Sequence, residues 1–222
     1  MYLSNKELRR DYLKYLQIAR KANLLEYIIE NNLESAAFFY SVMKKNDSKN
    51  ANNLKKIFKV IKSPSYHLQY ITHVKDNQTS RNVILSNGSL VEKVHLSIID
   101  NELNSDLEEQ LIQEKSYKLL FIAVINQLVK DQQRAALALL KSTKSKYIFA
   151  GARISKKNLQ SFVDKLISRH KKTYIFAMMK KYPDLDYSKY ETYLIKNNLV
   201  KEMQTFISLK HSEKLENYLL LT

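Results

Sequence analysis

Apolar residues recur every three to four positions through most of the chain, in segments of about one to two dozen residues, the spacing of short amphipathic helices. Leu24, Tyr27 and Ile28, then Leu33, Ala37 and Tyr40, predict two helices broken near Asn31-Asn32. Asparagine tolerates the left-handed conformation that closes a helix where glycine is absent. Tyr193-Leu194-Ile195-Lys196-Asn197-Asn198-Leu199 near the C-terminus repeats the grammar of Tyr27-Ile28-Ile29-Glu30-Asn31-Asn32-Leu33.

Counted from Asn31, the second helix of the first hairpin carries Leu33, Ala36, Tyr40 and Met43, apolar or small at +2, +5, +9 and +12 on one face. Counted from Lys130, Gln132, Ala135, Leu139 and Ser142 keep the small or apolar character at +5 and +9. Ile167 as a turn places Phe176 and Met179 at +9 and +12, and Asn197 places Leu199, Phe206 and Leu209 at +2, +9 and +12. The spacing of the turns at Asn31, Lys130, Ile167 and Asn197 suggests a period in the low to middle thirties, the length of a helix–turn–helix repeat. The segment from Ser63 to Asn104 fits this grammar least. There Asn87-Gly88, between Val83-Ile84-Leu85 and Leu90-Val91, reads either as a type I′ hairpin turn or as the end of one helix before the next.

Composition narrows the classes. Two Gly and two Pro in 222 residues are too few for an all-β fold, and Gly88 and Gly151 stand too far apart for a P-loop or a dinucleotide fingerprint. With no Cys, disulfides and thiolate metal sites are excluded, and the longest clean apolar run, Leu119 to Ile125, is too short to span a bilayer. The fold expected is all-α: helical hairpins stacked as a short α-solenoid, with a small irregular or hairpin insertion around 76–100.

The net charge of +15 is unevenly spread. Residues 1–62 hold 13 basic and 6 acidic side chains, 63–116 hold 4 and 8, and 117–222 hold 20 and 8. This predicts basic N-terminal hairpins, a net-acidic connecting region and basic C-terminal repeats, or one continuous domain of all three. Between Lys141 and Lys181 there are 12 basic residues against Asp164 alone. Lysine-rich composition can merely solvate helix faces. A block of like charge beside an acidic segment fits a polyanionic ligand better, because closely spaced cations repel unless an anion neutralises them.

Asn32-Leu33-Glu34-Ser35-Ala36-Ala37-Phe38-Phe39-Tyr40-Ser41-Val42-Met43-Lys44-Lys45 resembles the second helix of a pentatricopeptide repeat. Phe176-Ala177-Met178-Met179-Lys180-Lys181-Tyr182-Pro183-Asp184 resembles the end of that helix and the Pro-Asp that opens the next repeat. The family's turn glycine is replaced by Asn31 and Asn197 and is absent from the other copies. Tetratricopeptide repeats, which bind proteins, share much of the pattern. The pentatricopeptide resemblance implies paired helices in a right-handed superhelix whose concave face binds single-stranded RNA, commonly in mitochondria or plastids. It therefore implies a mitochondrial matrix setting, with the cytoplasm as the other intracellular option. Glu7 and Asp11 speak against reading Met1 to Lys21 as a presequence.

No catalytic or metal-binding constellation accompanies these features. His67, His73, His95, His170 and His211 lack ligand spacing, and His170 between Arg169 and Lys171 suits solvent or phosphate. Glu108-Glu109 and Asp184 with Asp186 suit first turns of helices. The expectation is a non-enzymatic protein with no cofactor, metal, membrane or small-molecule ligand. It binds single-stranded RNA through Lys144, Lys146, Tyr147, Arg153, Lys156, Lys157, Asn158, Arg169, Lys171, Lys172, Lys180 and Lys181, helped by the basic N-terminal hairpins. Tyr147 is the stacking candidate, Phe149 reads as core, and Asn158 and Gln160 offer amides to base edges. The competing expectations are an α-helical scaffold for protein partners or a larger ribonucleoprotein, and a viral or plasmid DNA-binding protein.

Overall fold

The computed structural model describes residues 5–44 and 51–221, and among them every regular element is a helix. In chain order these are α1 (Asn5–Ile18), α2 (Leu24–Glu30), α3 (Glu34–Met43), α4 (Ala51–Val60), α5 (Pro64–His73), α6 (Gln78–Asn87), α7 (Leu90–Asp100) and α8 (Ser105–Gln113). They continue as α9 (Tyr117–Ile125), α10 (Gln132–Leu140), α11 (Ser145–Ile154), α12 (Leu159–Ile167), α13 (Lys172–Lys181), α14 (Ser188–Lys196), α15 (Val200–Leu209) and α16 (Glu213–Leu221). The protein is all-α.

The breaks at the paired asparagines lie where the sequence places them. Asn31 caps α2, Asn32 takes φ 49°, and Leu33 N–H reaches back to the Ile28 carbonyl at 3.0 Å. Asn197, Asn198 (φ 49°) and the 3.1 Å Leu199-to-Leu194 bond repeat this at the end of α14. The same backbone closure forms at Glu102, Ser116 and Leu128, so Asn101, Lys115 and Gln127 also sit in the left-handed region, a position usually held by glycine. An ordinary residue there costs roughly 1 kcal/mol or more, less for asparagine, and the closed carbonyls offset it.

Neither glycine has that conformation. Gly88 has φ −70° and ends α6, so the type I′ hairpin is corrected to a helix boundary. The region 76–100 is helical because both of its helices are well started. Asn77 accepts the Ser80 N–H at 2.8 Å to cap α6, and Glu92 accepts the Ser89 N–H at 2.9 Å at the start of α7. Gly151 serves packing instead. A Cβ there would lie 2.9 Å from Phe162 Cε1 and 3.0 Å from the Ala136 carbonyl oxygen, which is how α11 comes so close to α10 and its run of small residues Ala135, Ala136 and Ala138.

The chain forms two compact units, 1–107 and 108–222. Residues 63–107 are not a connection. Tyr66 and Tyr70 of α5 join Tyr15, Ile28, Ala37, Phe38 and Ile57 in the main core of the first unit, and Leu68, Ile71, Ile84 and Leu96 form a smaller one. Within this unit α1 packs on α3, α3 on α5 and α5 on α7, while α2 packs on α4.

In the second unit α9 packs on α11, α11 on α13 and α13 on α15, while α12 packs on α14 and α14 on α16. Odd- and even-numbered helices thus form two layers, with Phe162, Met178, Met179, Tyr187, Tyr190, Leu194 and Phe206 buried between them. The expected register needs two corrections. The turn counted at Lys130 pairs α9 with α10, out of phase with the pairs α12–α13 and α14–α15. The left-handed residues that are in phase are Asn32, Lys115, His170 and Asn198, and the intervals between them span six, four and two helices. Each pair of helices accordingly takes fewer than thirty positions instead of thirty-odd. Met43, placed on the apolar face by its +12 position, is 62% exposed because α3 ends there.

Candidate nucleic-acid interface

Each odd-numbered helix of the second unit starts at the end of the layer where its even-numbered predecessor stops. The turns 114–116, 141–144 and 168–171 therefore gather at one end of the unit, and the N-termini of α9, α11 and α13 open there. The turns 126–131, 155–158 and 182–187 belong to the opposite end. Helix α11, with 10 residues, is about 15 Å long and separates the two.

This alternation divides the twelve expected site residues. Lys144, Lys146, Tyr147, Arg169, Lys171 and Lys172 belong to the first end; Arg153, Lys156, Lys157, Asn158, Lys180 and Lys181 belong to the other. They do not form one surface. Arg153, Lys180 and Lys181 occupy last turns of helices, where a cation answers the negative end of the macrodipole, a sufficient structural reason for their charge. Asn158 is exposed at φ 60°, serving as the left-handed N-cap of α12.

At the first end two clefts adjoin. One, of about 520 Å³, is lined by Lys144, Lys146, Arg169, His170, Lys171 and Tyr174 together with the hydroxyls of Thr143, Ser145 and Ser168. The other, of about 320 Å³, is lined by Lys115, Tyr117, Lys118, Lys144 and Tyr147, and the two share Thr143 and Lys144. Local bonding sets the turns. Ser142 Oγ accepts the Lys144 N–H at 3.1 Å, fixing Lys144 as the N-cap of α11, and Ser168 Oγ donates to the Lys165 carbonyl at 2.8 Å. Lysine offers α11 no side-chain acceptor for its orphan N–H groups, so an anion there is favoured by both the dipole and the cation.

Among the described residues no carboxylate lies within ion-pair distance of Lys115, Lys118, Lys144, Lys146, Arg169 or Lys171. The buried Nε of Arg169 has no hydrogen-bond partner. The block's one acid does not relieve this charge: Asp164 pairs with Lys189 at 2.8 Å, which holds its carboxyl below the usual range. Lys172 differs from its neighbours, since Glu202 of α15 neutralises it at 2.7 Å.

Two expected base-reading groups are corrected. Tyr147 is buried, its ring 5.0 Å from Phe121, because the face of α11 bearing Ile148 and Ala152 turns into the layer. Lys146 and Lys144 lie over it at 5.2 and 5.8 Å, so it holds cations instead of offering a free face. The Gln160 amide is already used. Its Nε2 donates to the Asp186 carbonyl at 2.8 Å and its Oε1 accepts the Asp186 N–H at 2.9 Å. Phe149 is partly buried against Tyr174, as core packing requires.

Sequence reasoning missed Lys115 and Lys118, which lie outside the dense basic block, and it missed a recurring clamp. Glu108 accepts the N–H groups of Lys130 and Asp131, Gln133 that of Lys156, and Gln160 that of Asp186, each near the start of an even-numbered helix and reaching past the next turn of the chain. In the first unit Glu34, at the start of the odd-numbered α3, likewise accepts the N–H groups of Lys62 and Ser63. The signal was an acidic or amide residue near each helix start, where it also reads as a dipole partner.

Among the described residues no three His, Cys, Asp or Glu converge as a metal site, and no helix is long and apolar enough to cross a membrane. Comparison with known proteins returns no matching family model, no matching curated protein and no matching solved structure.

Proposed function

We propose that the protein is a non-enzymatic helical-repeat protein that binds single-stranded RNA along the cleft end of its second unit, acting in RNA processing, stability or ribonucleoprotein assembly. The observation that carries this reading is the row Lys115, Lys118, Lys144, Lys146, Arg169 and Lys171, six cations without carboxylate partners on two joined clefts, where three helix N-termini open. Phosphates neutralise such a row, and the dipoles add to the attraction. The two-layer packing of alternate helices supports a short α-solenoid, and the residues at 32–45 and 176–184 that resemble pentatricopeptide helices favour RNA over DNA.

The test is fluorescence anisotropy with labelled single-stranded RNA, its DNA counterpart and a duplex, over a salt series. Single-stranded RNA should bind best, with affinity falling as salt rises. Equal weak binding to every polyanion, or none at physiological salt, overturns the reading.

A second reading, a protein scaffold, rests on Leu13 and Leu16 of α1, which are 54% and 45% exposed beside Tyr12. An apolar patch of this kind would hold a partner at high salt, where phosphate binding is lost.

A further inference from the structure

The backbone of His170 closes the end of α12, but its imidazole is not needed for that turn. The residue occupies the left-handed position at φ 51°, is exposed, and among the described residues neither ring nitrogen has a hydrogen-bond partner. Its ring is nevertheless held. It lies on Tyr193 with centroids 3.9 Å apart and planes 12° apart, and Tyr193 in turn is parallel to Tyr190 at 5.9 Å and 12°. Tyr190 and Tyr193 share one face of α14 by their spacing of three. Tyr190 is buried to 1% exposure against Phe176 and Phe206. The column Tyr190–Tyr193–His170 is thus rooted in the core and ends in a flat ring that also lines the cleft with Lys144, Lys146, Arg169 and Lys171.

We infer that His170 is the stacking platform for an unpaired nucleobase. The base extends the aromatic column on the face of the imidazole turned away from Tyr193, while the phosphates flanking that nucleotide lie against the cleft's cations. The inference rests on the RNA-binding reading and assigns the role first expected of Tyr147 to a different side chain. Two features make the platform effective. The ring is fixed before binding, so little ordering entropy is lost, and a π-face accepts any base, so the subsite is indifferent to sequence. A base within a duplex cannot enter the column, which makes this subsite a discriminator between single and double strands.

The experiment uses the full chain and single-stranded RNA oligonucleotides carrying one 2-aminopurine, moved position by position. His170→Asn removes the ring while keeping a residue that tolerates φ > 0, and His170→Tyr restores a flat ring. The parent should quench 2-aminopurine several-fold at one or two positions. His170→Asn should abolish that quenching and weaken binding about tenfold, the scale of one lost stack. His170→Tyr should recover both. RNA that binds the parent without quenching at any position, or quenching unchanged in His170→Asn, overturns the platform and leaves RNA binding intact. Absence of binding by the parent at low salt overturns both.

Discussion

Glu108 and Lys130 are far apart in sequence, yet Glu108 Oε2 accepts the Lys130 backbone N–H at 2.9 Å while its Oε1 takes that of Asp131 at 3.1 Å. The carboxylate is 5% exposed. One buried side chain therefore ties α8 to the turn between α9 and α10. Glu108→Ala leaves two N–H groups without their charged acceptor and should lower stability by about 2–4 kcal/mol. Urea denaturation of the full chain, followed by circular dichroism, checks this through the midpoint of the C-terminal unit. An unchanged midpoint means that water replaces the clamp at no cost.

The cleft cations and the opposite-end cations should separate in binding. Reversing Lys144, Lys146, Arg169 and Lys171 to Glu removes up to four phosphate contacts, so the slope of log affinity against log salt should shrink by roughly 3, at about 0.7 per contact on a single strand. The matched reversal of Arg153, Lys156, Lys180 and Lys181 should leave the slope nearly unchanged. Equal losses in the two variants would mean that net charge alone drives binding.

Glu202 should act as a brake. Its carboxylate occupies Lys172 at 2.7 Å, so Glu202→Gln releases one more cation beside the cleft. RNA affinity at low salt should rise a few-fold, with a salt slope steeper by about 0.7. Lys172→Ala in the parent should change affinity by less than about twofold. A Glu202→Gln variant that binds no better would show that Lys172 lies out of the RNA's reach.

His67 should make the first unit sensitive to acid. The ring is fully buried, with Nε2 2.8 Å from the Ile61 carbonyl and Nδ1 2.9 Å from Ser80 Oγ. The carbonyl can only accept, so the neutral ring carries its proton on Nε2 and takes the Ser80 hydroxyl at Nδ1. Burial pushes its pKa below the ordinary 6.5, against a smaller opposing effect of the Ile61 bond. The unfolded chain then binds more protons, and this contribution to stability is present above about pH 6.5 and lost as pH falls toward the depressed folded value. Thermal melts between pH 5 and 7.5 should show a downward slope on the acid side that disappears in His67→Gln, itself less stable at every pH. A slope that persists in the variant would assign it to other groups.

Gly151→Ala tests the close approach of α10 and α11. In an open helix the change would add about 1 kcal/mol of stability. Here the new methyl meets Phe162 at 2.9 Å and the Ala136 carbonyl oxygen at 3.0 Å, so overpacking of about 1–3 kcal/mol should prevail and the melting temperature should fall. A rise would mean that the two helices can part without loss.

Local features are legible in the chain itself. The three-to-four spacing sets which side of each segment is apolar, and hence the all-α class. Asn31-Asn32 and Asn197-Asn198 mark helix ends because asparagine bears the left-handed conformation at low cost. The excess of cations between Lys141 and Lys181 is equally plain. How those cations are divided was settled by packing. Successive turns emerge at opposite ends of helices about 15 Å long, so near neighbours in sequence such as Lys146 and Arg153 are separated, while Lys144 and Arg169, from different hairpins, line one cleft. Partners at that range leave no mark in a periodic pattern. Glu202 neutralises Lys172, Lys189 takes Asp164, and Tyr193 supports His170, each pairing set by how one hairpin lies on the next. Tyr147 turned inward for the same reason: periodicity records that a face is apolar, but only the neighbouring helix decides which aromatic fills it and which is left facing the cleft.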